Sequence, residues 1–285
     1  MITLKTIAEV KAHINPLKER GEKIGFVPTM GYLHEGHLSL VRAAVKETDF
    51  AVVSIFVNPA QFDPSEDFTD YPRDHDRDLE LLEKENVGLV FMPDEQAIYP
   101  SGNRTYVEVQ DLQHKLCGVS RPTFFRGVCT IVLKLFNIIT PDVSYFGQKD
   151  FQQALLIQRM VKDLNLEVDI QVLPIVRDQD GLALSSRNAY LSQKERKAAL
   201  SLSRSLEEAR RMVDAGERNP DKLSAAILEI IHRDSLLKID YVEIVDLQDL
   251  DPLSRIKDSA LIVLAVYAGK ARLIDNIIID TEETE

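Results

Sequence analysis

The sequence predicts an α/β protein in which a parallel sheet is followed by a smaller α+β region. Short apolar runs at residues 24–27, 51–57, 89–92 and 143–147 have the length of strands buried on both faces. Helical patterns separate them, which is the alternation expected of βαβ units. The alternation stops near residue 176. The pattern as a whole is typical of a Rossmann-like domain with a second, smaller domain after it.

We therefore place a domain boundary between residues 175 and 176, giving domains 1–175 and 176–285. In the second domain, helical patterns at 192–215 and 220–234 precede strand patterns at 240–245, 260–268 and 273–279. Ser192 and Glu195 have the spacing of a capping box at the start of the first of these helices. The tail 280–285 is acidic and is expected to be disordered.

Composition excludes several classes of function. The 285 residues include 46 acidic and 34 basic side chains, so the net charge of −12 disfavours nonspecific binding to nucleic acid or anionic membranes. The two cysteines, Cys117 and Cys129, lack metal-ligand spacing. The N-terminal residues do not resemble a signal peptide, and no apolar run is long enough to span a bilayer. We expect a cytoplasmic protein with reduced thiols and no dedicated metal site.

The stretch around residues 24–45 predicts a strand, a glycine-bearing turn and a helix. Pro28 is expected to end the strand, and the helical pattern begins at His37. Backbone N–H groups and the positive end of such a helix suit a phosphate. His34 and His37 lie three residues apart, so both can donate to phosphoryl oxygens. The alternative is that both are ordinary turn residues.

Two further segments follow predicted strands and are expected at the same edge of the sheet. Asn58 and Gln61 follow the strand 51–57. Lys149 follows the strand 143–147, with Asp150 as the expected N-cap and Gln153 in the first turn of the next helix. A lysine there suits a phosphate, and an amide suits a hydroxyl or carboxylate. A surface lysine and a loop amide are the alternatives.

Two arginine-bearing loops and one acidic cluster complete the candidate features. Ser185, Ser186, Arg187 and Asn188 form a group of donors able to bind phosphate oxygens. Arg121 lies in a polar loop, where carboxylate binding and an exposed surface position are equally favoured. The acidic residues at 74, 76 and 78 lack the glycine and terminal glutamate of a calcium loop, and a solvated helix face is favoured.

These motifs carry a resemblance to a known family. Thr29-Met-Gly-Tyr-Leu-His-Glu-Gly-His37 resembles the His-x-Gly-His signature of the nucleotidyltransferase superfamily. Leu184-Ser-Ser-Arg-Asn188 resembles the second motif of that superfamily, which is similar to Lys-Met-Ser-Lys-Ser, in the form that one member family has. With Val57-Asn-Pro-Ala-Gln-Phe62, Tyr71-Pro-Arg73 and Phe146-Gly-Gln-Lys-Asp150, the order and intervals are similar to those of the pantoate–β-alanine ligases over residues 1–280.

The resemblance implies an ATP-dependent ligase. The carboxylate of (R)-pantoate attacks the α-phosphate of ATP, which releases diphosphate and forms pantoyl adenylate. The amine of β-alanine then attacks the acyl carbon and releases AMP. Family members use Mg²⁺ with ATP and form homodimers. The mixed anhydride must be kept from water, so loop 63–70 and the second domain are candidates for closing over it.

The resemblance also implies roles for individual residues. His37, His34 and Lys149 would be catalytic, Gln61 and Gln153 would bind pantoate, and Gln61 would also lie near β-alanine. Residues of three segments would bind ATP: Met30, Gly31, Tyr32, Leu33, His34, Glu35, Gly36, His37, Gly147, Gln148, Lys149, Asp150, Val176, Leu184, Ser185, Ser186 and Arg187. Arg121 would contact the β-alanine carboxylate. The alternatives are another nucleotidyltransferase of this type, or a nucleotide-binding module without turnover.

Overall fold

The computed structural model describes residues 1–63 and 66–281, which form two compact units. One unit comprises Met1–His114 with Gly118–Pro174, and the other comprises Lys115–Cys117 with Ile175–Glu285. The sequence-based division assigns Lys115–Cys117 to the first domain, whereas in the structure these residues pack with the second unit.

The first unit alternates strands and helices as the sequence predicts. Its strands are β1 (Ile2–Leu4), β2 (Ile24–Thr29), β3 (Phe50–Ile55), β4 (Leu89–Phe91), β5 (Val143–Gly147) and β6 (Asp169–Leu173). Its helices are α1 (Ile7–Glu19), α2 (Glu35–Glu47), α3 (His75–Lys84), the single-turn α4 (Glu95–Ile98), α6 (Phe124–Ile139) and α7 (Phe151–Asp163). The short helix α5 (Cys117–Ser120) begins at the last residue of the segment that packs with the second unit.

All strand pairs of this described sheet are parallel, and their order is β1-β4-β3-β2-β5-β6. The chain leaves β2 toward β3 on one side and leaves β5 toward β6 on the other. The carboxyl ends of β2 and β5 therefore lie at a topological switch point, where open α/β sheets bind their ligands. The predicted parallel α/β fold is confirmed.

Helices cover both faces of the sheet because adjacent residues of a strand point to opposite faces. Val27 packs in a cluster with residues of α2 and α3, whereas the neighbouring Phe26 meets Phe136 of α6 edge to face at 6.3 Å. Both side chains are fully buried. This two-sided burial explains the nearly continuous apolar character of the central strands.

The prediction that Pro28 ends the strand that begins at residue 24 is wrong. Pro28 lies within β2 and is in register with Ser54 of β3. The carbonyl of Thr29 accepts from Phe56 on the β3 side, so the ring nitrogen of Pro28, one residue earlier, faces the β5 side. The register with β5 ends at the pair Phe26–Ser144. The missing N–H therefore removes no hydrogen bond from the sheet.

The second unit has the predicted α+β pattern, with helices α8 (Gln193–Asp214) and α9 (Pro220–His232) before three antiparallel strands. The strands are β7 (Leu237–Val245), β8 (Ser259–Ala268) and β9 (Ala271–Asp280), in the order β7-β8-β9. The predicted capping box of Ser192 and Glu195 is present. Residues of both helices and of β8 and β9 share one buried apolar cluster.

The acidic tail differs from the expectation at its first two positions. Asp280 is the last residue of β9, and the N–H of Thr281 donates to the carbonyl of Asp258 at 2.8 Å. Positions 282–285 lie outside the described residues, as do 64 and 65 of the loop 63–70. Over the described ranges, the helices are too short or too polar to cross a membrane.

Candidate active site

The turn after β2 is held by an aspartate from α3. Gly31 has φ +81° and Tyr32 has φ +50°, so two successive residues lie in the left-handed region. Asp78 accepts the N–H of Tyr32 through one carboxylate oxygen and the N–H of Leu33 through the other, both at 2.7 Å. A Cβ at Gly31 would lie 2.9 Å from Ile55 and 3.0 Å from Asp78, so glycine is required there.

The solvated helix face proposed for the acidic cluster is wrong for Asp78, whose side chain is fully buried. Asp74 and Asp76 remain exposed, and Asp74 caps α3 by accepting the N–H of Arg77. Arg77 donates to the carbonyl of Leu33 at 2.9 Å. Burial raises the pKa of Asp78, opposed by its hydrogen bonds to Leu33 and Tyr32. Asp78 is a residue of the site that no motif in the sequence indicates.

The two histidines form the start of α2, two residues earlier than the sequence predicts. His34 is the N-cap, and its Nδ1 accepts the N–H of Gly36 at 3.1 Å. The N–H of His34 in turn approaches Nδ1 of His37 at 3.4 Å. The ring centroids are 4.0 Å apart and tilted by 34°. A pair of imidazoles thus replaces the Ser/Thr and Glu/Gln of an ordinary capping box.

Both imidazoles are neutral at physiological pH. Burial, followed by the charges of His37, Lys149 and Arg77, lowers the pKa of His34 to about 2. Burial and then Lys149 lower the pKa of His37 to about 4, against an opposing effect of Asp150. Because Nδ1 of each ring faces a backbone N–H, the proton of each neutral ring is on Nε2. Each histidine therefore presents an N–H donor.

Lys149 follows β5 in a 3₁₀ turn, Gln148–Asp150, at the adjacent carboxyl end. Its ammonium is close enough to both histidines to lower their pKa values, so the predicted grouping of these three residues is present. The ammonium lies 3.5 Å from the carboxylate of Asp150. Asp150 occupies the N-cap position of α7, but its side chain makes no capping hydrogen bond, contrary to the prediction.

The end of β3 presents two buried amides. Asn58 caps the 3₁₀ turn Pro59–Gln61, and its Nδ2 donates to Oε1 of Gln61 at 2.9 Å. Gln153 lies in the first turn of α7 with its side chain partly exposed. Its neighbour Gln152 is buried and donates to the carbonyl of Leu112 at 2.9 Å. Gln61 and Gln153 thus follow β3 and β5, the two strands that flank β2.

Arg121 is not the exposed surface arginine of the alternative interpretation. It is buried, and its guanidinium contacts both carboxylate oxygens of Glu66, at 2.5 and 2.9 Å. The same group donates to the backbone carbonyl of Gln61 at 3.0 Å and lies over the ring of Phe124 at 3.8 Å. The guanidinium therefore already holds a carboxylate beside Gln61.

In the second unit, the predicted ATP-binding residues lie on one turn and the segment after it. The N–H of Leu184 donates to the carbonyl of Val176 at 3.0 Å, and the chain reverses between them at Gly181, which has φ +94°. Ser185 then caps a 3₁₀ segment, Ser186–Tyr190, by accepting the N–H of Arg187 at 3.2 Å. This geometry brings Val176 next to Leu184, which their sequence separation does not reveal.

A parallel sheet with a His-x-Gly-His helix start at its switch point defines an α/β nucleotide-binding protein of the nucleotidyltransferase type. The family model "Pantoate-beta-alanine ligase" matches residues 2–278. The chain belongs to the pantoate–β-alanine ligase family.

Individual relatives are similar to this chain over nearly its whole length. A pantothenate synthetase of Pelotomaculum thermopropionicum is 52% identical over 279 residues, covering 98% of this chain and 99% of the relative. The crystal structure of a Thermus thermophilus pantothenate synthetase superposes with a TM-score of 0.93 at 44% identity, covering 97% of this chain and 99% of that one. A Francisella tularensis pantoate–β-alanine ligase, complexed with β,γ-ATP and β-alanine, has a TM-score of 0.81 at 37% identity, with 98% and 97% covered.

Proposed function

We propose that this protein condenses (R)-pantoate with β-alanine at the expense of ATP, through pantoyl adenylate, to make pantothenate for coenzyme A biosynthesis. Its membership in the ligase family supports this function. The observation that carries it is the pair of neutral imidazoles at the start of α2, each with a donor Nε2–H and both within reach of the charge of Lys149. This is the group needed where negative charge develops on an α-phosphate.

His34 and His37 serve as hydrogen-bond donors and not as bases. A carboxylate nucleophile carries no proton to be removed, so the adenylation step needs no general base. As charge builds on the non-bridging oxygens of the α-phosphate, the two Nε2–H groups and the Lys149 ammonium stabilise it. The N-terminus of α2 adds the positive end of its dipole.

Gln61 and Gln153 bind pantoate from the two sides of β2. Oε1 of Gln61 is occupied by Asn58, so its amide N–H₂ is the end available for a substrate oxygen. Gln61 also lies near the position that β-alanine takes in the second step. Arg121 is the proposed contact for the β-alanine carboxylate, which would have to displace Glu66 from the guanidinium next to Gln61.

ATP is bound by the backbone and side chains of three segments. The turn Met30–Leu33 and Glu35–Gly36 line the nucleotide, although the N–H groups of Tyr32, Leu33 and Gly36 already donate to Asp78 and His34. The Glu35 carboxylate is paired with Arg42 at 2.8 Å. The turn after β5, from Gly147 to Asp150, contributes the charge of Lys149. In the second unit, Val176 and Leu184 contact the nucleoside, and Ser185, Ser186 and Arg187 contact the phosphates.

Mg²⁺ accompanies ATP in this proposal. Within residues 1–63 and 66–281, no group of three or more His, Cys, Asp or Glu side chains is arranged to hold a metal ion. Mg²⁺ commonly keeps several waters and binds substrate phosphates with few protein ligands. A metal brought in on the phosphates would neutralise charge on the departing diphosphate. We further propose that the protein is a cytoplasmic homodimer.

Diphosphate–ATP exchange tests the proposed function. In the proposed ligase, labelled diphosphate is incorporated into ATP only when bound pantoate is reversibly adenylated, so we expect exchange that requires pantoate and does not require β-alanine. Adding β-alanine should release AMP and pantothenate in equal amounts. Exchange without pantoate favours another nucleotidyltransferase, and ATP binding without exchange favours a module that lacks turnover. Either result refutes the ligase function.

A further inference from the structure

The amide of Gln61 is buried in one defined orientation. The side chain is 8% exposed, and its Oε1 accepts Nδ2 of Asn58 at 2.9 Å. Its N–H₂ group has no hydrogen-bond partner in the described ranges 1–63 and 66–281. Gln61 therefore offers a substrate two donors and no acceptor. A flipped amide would instead direct a carbonyl oxygen at the substrate and repel a hydroxyl oxygen or carboxylate.

The orientation of Gln61 depends on Asn58, which is itself 1% exposed and fully hydrogen-bonded. Nδ2 of Asn58 donates to the carbonyl of Gly127 at 3.1 Å as well as to Gln61. Oδ1 of Asn58 accepts the N–H of Ala60 at 3.3 Å and the hydroxyl of Tyr99 at 2.9 Å. The hydroxyl of Tyr99 supplies the shorter of the two contacts that hold Oδ1 away from Gln61.

Packing keeps these groups in place. A Cβ at Gly127 would lie 2.0 Å from the carbonyl of Ala60, so only glycine lets α6 approach the turn Pro59–Gln61 this closely. Lys134 lies 5.0 Å from the ring centre of Tyr99 and donates to the carbonyl of Ile98 at 2.6 Å. Burial raises the pKa of the Tyr99 phenol, so the hydroxyl remains a donor across the working pH range.

We propose that Tyr99 is a positioning residue for the reaction. Through Asn58, its hydroxyl fixes the amide of Gln61 with the N–H₂ end toward the substrate, and so sets the preference of this position for an acceptor oxygen. The inference rests on the proposed pantoate-binding role of Gln61. Tyr99 follows α4 on a loop without a recognisable motif, so the sequence contains no signal for this role.

Tyr99→Phe tests the proposal because it removes the hydroxyl and keeps the ring that packs on Lys134. We expect the KM for pantoate to rise by about threefold to tenfold, the range for the loss of one hydrogen bond. The kcat at saturating pantoate and the KM for ATP should change by less than about twofold. The matched control is Tyr106→Phe, since Tyr106 is an exposed tyrosine whose ring lies beside Arg126.

A double-mutant cycle with Gln61→Ala separates this inference from the proposed function. If Tyr99 acts through Gln61, the effect of Tyr99→Phe on the pantoate KM disappears in the Gln61→Ala background. An effect of unchanged size there, or a fall in kcat with no change in KM, overturns the positioning role. If Gln61→Ala alone leaves the pantoate KM unchanged, the proposed role of Gln61 is wrong and the positioning role falls with it.

Discussion

Asp78 accepts the backbone N–H of Leu33 at 2.7 Å, and this bond ties helix α3 to the turn that carries the two histidines. The second carboxylate oxygen accepts the N–H of Tyr32 at the same distance. Tyr32 has a left-handed conformation in this turn, which is costly for a residue other than glycine without such support. One buried carboxylate therefore fixes where α2 begins and where His34 and His37 point.

We expect Asp78→Asn to weaken both stability and activity. The amide keeps the shape of the carboxylate but directs an N–H₂ group at one of the two backbone donors. Leaving that buried N–H unsatisfied costs about 1–3 kcal/mol, which chemical unfolding will measure. Diphosphate–ATP exchange should fall as well because the histidines lose their fixed position. Asp76→Asn, on the exposed face of the same helix, is the control, and equal behaviour of the two variants would contradict the role of Asp78.

The contrast between His34 and Asp78 shows how far sequence analysis reaches in this protein. The order of strand, turn and helix around His34 is predictable from apolar periodicity and two glycines, although the strand runs through Pro28 and the helix begins two residues early. Asp78 lies in a run of alternating charges, and the burial of one of them depends on the distant turn at Tyr32. The prediction for Pro28 is wrong for the same reason. Whether a proline can lie inside β2 depends on where the pairing of β2 with β5 ends, which the local sequence does not show.

The lowered pKa values of the histidines make stability depend on pH in a defined window. Below the usual histidine pKa of 6.5 the unfolded chain takes up a proton, whereas folded His37 stays neutral until about pH 4. The unfolded state therefore binds more protons there, and the free energy of unfolding falls as pH falls. His37 contributes at most about 1.4 kcal/mol per pH unit, and His34 acts in the same direction over a wider range.

His37→Gln tests this linkage. Relative to the parent, the variant should gain about 2 kcal/mol between pH 6.5 and pH 5, as measured by urea unfolding. The control is His232→Gln, at an exposed position at the end of α9. If the free energy of unfolding depends on pH in the same way for the parent and for His37→Gln, folded His37 titrates normally. That result would remove the basis for a neutral donor.

Lys149 is expected to act on the reaction and on the histidines together. Lys149→Met removes a positive charge that lowers the pKa of both His34 and His37, so both pKa values should rise, as followed by NMR of the imidazole protons. Loss of the charge at the phosphate should slow exchange by about 100-fold, the scale for one transition-state donor. The control is Lys162→Met, at the exposed far end of α7. If diphosphate–ATP exchange slows while the pKa values of the histidines stay the same, Lys149 acts on the phosphate and not on the histidines.

In the second unit, the ion pair of Arg177 and Asp275 holds the turn that precedes Ser185. The guanidinium contacts both oxygens of Asp275, at 2.6 and 2.8 Å, and also donates to the carbonyl of Gly181 at 3.2 Å. Asp275 is 2% exposed, so removing its charge leaves the partly buried Arg177 without its anionic partner. The pair thus links β9 to the residues proposed to contact ATP.

We expect Asp275→Asn to lower the free energy of unfolding by about 3 kcal/mol and to increase amide hydrogen exchange over residues 177–188. Because the turn positions Val176 beside Leu184, the KM for ATP should rise while that for pantoate changes little. Glu229→Gln breaks an exposed pair with Arg233 on α9 and should cost less than about 1 kcal/mol. The pair does not anchor this segment if Asp275→Asn lowers the free energy of unfolding no more than this control does. The same conclusion follows if amide hydrogen exchange becomes faster elsewhere and not in the turn.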